Sequence, residues 1–65
     1  MALNLKAARI NAGLSIAQAC AKTGVSENTL LNYEAYRTKP VIDTAIKLAK
    51  AYGVELDDIK WSAEE

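Results

Sequence analysis

Glu27, Asn28, Leu31 and Asn32 fall on one outer face of a helix predicted over about 27–35, because Leu30, Tyr33 and Glu34 recur on the opposite side. An Asn amide pairs bidentately with adenine N6/N7, a Glu accepts from cytosine N4, and a Leu touches a thymine methyl. The same set also suits a solvated outer face, so residue type alone leaves both readings open. Phosphate needs other chemistry, namely backbone N–H groups at helix starts and flexible cations. Ser15, at the head of a helix predicted over about 16–22, brings the first. Arg37 and Lys39, in the loop after the 27–35 helix, bring the second. Lys6 and Lys22 read more simply as surface lysines.

Arg9 and Glu34 require a separate account, since each sits on an apolar face: Arg9 lies one turn from Leu5 and Ala12, and Glu34 one turn from Leu30. Burying either charge alone is costly. An ion pair between their two helices removes both problems and gives them a structural role.

Catalytic and metal chemistry lack the residues they need. The chain has no His and a single Cys, Cys20, so there is neither a Cys/His nucleophile pair nor a zinc-ligand set. Cys20 reads as a small core residue with an inert thiol. Asp57 and Asp58 are adjacent carboxylates, and they read as acidic charge at a helix start rather than as an acid/base pair. No enzyme activity and no cofactor are expected.

The elements that carry these residues follow from composition and punctuation. Sixty-five residues hold one small domain, spanning 1–65. Twelve residues are Ala and none is Phe, a pool suited to closely packed helices and poorly suited to a sheet. Gly13, Gly24 and Gly53 each follow a stretch with helical spacing, where a helix end places a left-handed residue.

The first helix is predicted over about 4–12 with Asn4 as its cap and Leu5, Ala8 and Ala12 inward. Ser15 caps the second, whose inner face is Ala19 and Cys20, and Ser26 caps the third. Pro40 breaks the chain ahead of a fourth helix over about 41–52, with Ile42, Ala45, Leu48, Ala49 and Tyr52 as its buried stripe. A fifth, over about 56–60, offers Leu56 and Ile59, with Trp61 at its end. The expected fold is an all-α, five-helix compact bundle.

Net charge is zero, yet residues 1–50 carry +4 and residues 51–65 carry −4. Either an anion-facing body or a solvated acidic tail produces that split. Neither a long apolar run nor a basic-then-apolar leader occurs in these residues, which predicts a soluble cytoplasmic protein away from membranes.

Residue by residue, the segments Gly13-Leu14-Ser15, Gly24-Val25-Ser26, Tyr33-Glu34, Lys39-Pro40 and Leu48-Ala49-Lys50-Ala51-Tyr52-Gly53-Val54 occur in one order. Together they resemble the Cro/repressor-type (XRE) helix-turn-helix family from Leu5 to Ile59. The resemblance implies a helix-turn-helix over about 15–35 and a C-terminal helix within about 55–61. It implies a sequence-specific regulator that binds double-stranded DNA as a homodimer, weak without DNA, on a palindromic operator, with no small-molecule ligand. The 27–35 helix would then enter the major groove with Glu27, Asn28, Leu31 and Asn32 reading bases. Ser15, Ile16, Ser26, Tyr36, Arg37 and Lys39 would lie along the phosphates, and Arg9 and Glu34 match the family's structural pair.

Two positions depart from the family's pattern. Ile16 stands where the family often has Gln, which removes an amide contact to phosphate or to a base-reading side chain. Tyr36 stands where Gly is favoured, so its ring either lies on the DNA backbone or covers the core. Dimer contact is expected from Leu56, Ile59 and Trp61, the apolar residues that core and DNA leave over, unless Trp61 serves only as a lid on the core of one copy.

Overall fold

Helix caps set by short polar side chains divide the chain. The computed structural model describes residues 2–63. It contains β1 (Leu3–Asn4), α1 (Leu5–Asn11), α2 (Ile16–Thr23), α3 (Glu27–Glu34), α4 (Ile42–Tyr52), a 3₁₀ turn (Leu56–Asp58) and β2 (Ile59–Lys60). The side-chain oxygens of Asn4, Ser15 and Ser26 accept the backbone N–H of Ala7, Gln18 and Thr29, so α1, α2 and α3 each start on a cap. At α2 the cap is reciprocal: Ser15 N–H donates to Gln18 Oε1 at 2.9 Å and Gln18 N–H to Ser15 Oγ at 3.1 Å. Between α2 and α3 the chain reverses at Gly24, which has φ +76°.

The expectation of five helices is corrected to four helices and a 3₁₀ turn among the described residues. Three residues are too few to nucleate an α-helix, and Ile59 is β-branched. The chain therefore turns extended after Asp58 and pairs with its own beginning. Leu3 lies opposite Ile59 and Asn4 opposite Lys60 in a parallel two-stranded ladder. This ladder ties the start of α1 to the segment after α4.

Leu5, Leu30 and Leu48, one each from α1, α3 and α4, are the largest fully buried side chains. Ala8, Ala19, Ala49, Tyr52 and Ile59 complete the core, and the alanines let the helix backbones approach closely. Cys20 packs against this cluster, and burial pushes its thiol up, which disfavours the reactive thiolate. Burial likewise pushes the Tyr52 phenol up to about 12. Ile42 is a second correction: it is 62% exposed, because α4 enters the core only from Ala45 onward and its first turn overhangs. No helix among the described residues is long and apolar enough to cross a membrane.

Arg9 and Glu34 meet inside this frame. Arg9 Nε donates to Glu34 Oε2 at 2.7 Å and Nη2 to Oε1 at 3.4 Å, with the two side chains 9% and 7% exposed. Nη1 donates to the Leu14 carbonyl at 2.9 Å. Its hydrogen bond to Glu34 raises the Arg9 pKa further. One guanidinium thus joins α1, α3 and the loop into α2.

α3 ends in a Schellman motif, with Arg37 N–H on the Asn32 carbonyl at 3.0 Å and Tyr36 N–H on the Tyr33 carbonyl at 3.1 Å. The left-handed residue of this motif is Tyr36, at φ +60°. A side chain there costs about 1–2 kcal/mol of backbone strain. What offsets it is the phenol: Tyr36 OH donates to the Lys60 carbonyl at 2.9 Å and accepts Leu5 N–H at 3.3 Å. Where β1 turns into α1 and leaves the ladder, the hydroxyl bridges the two chain segments. Tyr36→Phe keeps the ring and the strain and removes only this bridge, so urea unfolding should show a loss of about 1–2 kcal/mol. An unchanged midpoint would remove the hydroxyl from the fold's supports.

Candidate nucleic-acid interface

α3 is eight residues long, about 12 Å at 1.5 Å per residue, and a B-form major groove is about 12 Å wide. Leu30 faces wholly inward and Glu34 is held by Arg9, which fixes the rotation of the helix about its axis. Glu27, Asn28 and Leu31 are thereby turned to solvent, with Leu31 51% exposed. Asn28 and Asn32 stand one turn apart, about 5–6 Å, enough to reach different base pairs.

Asn32 differs from Asn28. It is half-buried, and its Oδ1 accepts from Arg37 Nη1 at 3.4 Å, so a base-edge candidate and a phosphate candidate are joined in the free protein. Glu27 also lies in the first turn of α3, where a carboxylate favours the helix dipole whatever else it does.

The residues expected along the phosphates separate into two groups. Arg37 and Lys39 are exposed in the loop after α3, as flexible cations should be. Ser15 N–H is taken by Gln18, which leaves the Ile16 and Ala17 N–H groups as the open donors of the first turn of α2. Ile16 offers only that backbone group, because its side chain packs against the core. The Ser26 hydroxyl is occupied by its cap, accepting from Thr29 N–H at 3.2 Å and donating to Thr29 Oγ1 at 2.8 Å. The Tyr36 hydroxyl is engaged within the fold, held between Leu5 and Lys60, so it is not free to donate to a phosphate.

The expected dimer contact is also redrawn. Ile59 is 2% exposed and belongs to the core, since β2 turns it inward, so it has no surface to offer a second copy. Leu56 and Trp61 are half-buried against that core, and the Trp61 indole N–H donates to the Leu56 carbonyl at 2.9 Å. Lys22, with Lys47 and Lys50, borders a depression of about 400 Å³. Lys22 and Lys50 lie in the last turns of α2 and α4, where cations complement the helix dipole.

Gln18 and the exposed pair Val41 and Ile42 escaped the sequence reading. The first had a signal, the Ser-x-x-Gln spacing of a capping box. The exposure of the pair had none, because periodicity gives the face of a helix and not where its neighbours stop.

A family model described as Helix-turn-helix matches residues 5–59. No curated protein and no solved structure matches the chain. Four helices with a capped α2 and α3 about a glycine turn, and a match over most of the chain, give one conclusion: it belongs to the Cro/repressor-type (XRE) helix-turn-helix family, a family of DNA-binding transcription regulators.

Proposed function

We propose that this protein is a sequence-specific regulator of the Cro-like or controller type, acting in the cytoplasm as a repressor. It binds a palindromic operator as a homodimer and lays α3 in the major groove. The observation that carries this reading is the outer face of α3. A capped helix of groove-filling length has its inner side locked by Leu30 and Glu34 and presents Glu27, Asn28 and Leu31 to solvent, with the half-buried Asn32 next to them and two exposed cations in the loop that follows. Base edges are read by direct pairing, so Asn28 and Asn32 select adenine, Leu31 packs on a thymine methyl and Glu27 selects cytosine. Arg37, Lys39 and the open N–H groups of α2 hold the phosphates and set the register.

A second reading is a protein-interaction module that keeps the fold without specific DNA binding. Zero net charge and the apolar Ile16 and Leu31 favour it. Selection from random duplexes separates the two, since enrichment of one sequence supports the regulator and no enrichment supports the module.

Two substitution series then test the assignments on the enriched duplex. Asn28→Ala and Asn32→Ala should each weaken binding by about 1–3 kcal/mol and relax preference at one base position. Equal weakening on all sequences would cancel the base-reading role. Arg37→Ala and Lys39→Ala should keep sequence preference and each flatten the slope of log affinity against log salt by about one unit. An unchanged slope would place that residue away from the phosphates.

A further inference from the structure

We propose that Tyr36 is a positioning residue for the DNA contacts: it makes the turn that carries Asn32 and Arg37 depend on the β1–β2 ladder, so that pairing of the two strands sets affinity for the duplex. The inference rests on the DNA reading above and adds to it a control that lies outside the base and phosphate sets.

The motif that ends α3 is closed by Arg37 N–H on the Asn32 carbonyl at 3.0 Å, and the same two residues meet again where Arg37 Nη1 donates to Asn32 Oδ1 at 3.4 Å. A base candidate and a phosphate candidate therefore take their places from one turn. That turn exists only while Tyr36 holds its positive φ of +60°. The chain leaves α1, α2 and α4 through glycines at +76°, +76° and +70°, and among the described residues Tyr36 is the one side chain in that region. Glycine holds such a turn by itself. Tyrosine has to be held there.

What holds it is the far end of the side chain. The hydroxyl accepts Leu5 N–H at 3.3 Å and donates to the Lys60 carbonyl at 2.9 Å. Leu5 follows β1 directly and Lys60 ends β2, with Asn4 opposite Lys60 in the ladder, so both partners are in place only when the strands are paired. With two residues in each strand, the ladder is an element that opens at lower cost than the packed helices. Once it opens, the bridge is lost and the strained backbone relaxes out of the left-handed region. Arg37 N–H then leaves the Asn32 carbonyl, and the Arg37 side chain loses its place on the phosphates.

Three variants separate the parts of this device. Leu3→Pro disfavours strand pairing through its fixed φ and missing N–H, and leaves both partners of the hydroxyl unchanged in type. Tyr36→Phe removes the bridge and keeps the strain, whereas Tyr36→Gly removes both. Without DNA, amide hydrogen exchange should show Arg37 N–H exchanging at least about fivefold faster in Leu3→Pro and in Tyr36→Phe than in the parent, and Leu3→Pro should add nothing in the Tyr36→Gly background. On the selected duplex, Leu3→Pro and Tyr36→Phe should each bind at least about fivefold more weakly, with the salt slope flattened toward that of Arg37→Ala. The Leu3→Pro, Tyr36→Phe double variant should bind no more weakly than the weaker single one. Tyr36→Gly loses more packing than Tyr36→Phe and should still bind more tightly, an order that a purely structural role of the ring would reverse.

An Arg37 N–H that exchanges in Leu3→Pro as in the parent, losses that multiply in the double variant, or Tyr36→Gly binding below Tyr36→Phe would overturn the proposal. If Tyr36→Gly does not fold, the Leu3→Pro and Tyr36→Phe pair decides by itself. A parent that selects no duplex fails the DNA reading alone, since the exchange experiment still decides the coupling.

Discussion

The bidentate Arg9–Glu34 pair is the contact on which the position of α3 depends. Eight residues do not make a stable helix in water, and α3 buries only one side chain completely, Leu30. Leu30, with Tyr33 partly buried beside it, fixes distance more firmly than rotation. Glu34, one turn on, fixes the rotation through two hydrogen bonds from one guanidinium. The same guanidinium holds the Leu14 carbonyl, next to the Ser15 cap, so the start of α2 and the outer face of α3 share one reference point in α1. Two desolvated charges give little net stability as a pair, yet each becomes an uncompensated buried charge when the other is removed. Such a pair specifies an arrangement more than it strengthens the fold.

The rest of the domain closes around that point with little material. Small side chains bring α1, α2 and α4 together, and a two-residue ladder joins the chain's beginning to the segment after α4. Tyr36 connects the two systems. It ends α3 at a left-handed backbone position, and its hydroxyl reaches both sides of the ladder's end. The C-terminus of α3 is thereby tied to the end of the β1–β2 ladder, and the exposed Arg37 follows directly from the turn that Tyr36 makes. Strain at one residue and two hydrogen bonds across the molecule are parts of one device.

Much of this was legible in residue types. Asn4, Ser15 and Ser26 announced three helix starts, and two charges on apolar faces suggested a pair. The outer face of α3 followed from Leu30 and Tyr33. What stayed hidden was non-local. A two-residue strand has no alternation to read, so Ile59 looked like the end of a helix and like spare apolar surface. Tyr36 was marked as unusual because the family it resembles favours Gly there, but nothing nearby in sequence points to Lys60 or Leu5. Ile42 had the right spacing for the core, and only the end of the packed layer leaves it outside. At the site, the Asn32–Arg37 contact depends on three-dimensional hydrogen-bond bookkeeping that spacing does not supply.

A double-mutant cycle over Arg9→Met, Glu34→Leu and the combined variant, read by urea unfolding, bears most directly on the role of the pair. Each single change should cost about 3–5 kcal/mol, because it strands a buried charge. The combined variant should lose far less than their sum, with a coupling of about 2 kcal/mol or more, and fold more stably than either single variant. Costs that simply add, or single variants that unfold at the parent's midpoint, would contradict the account.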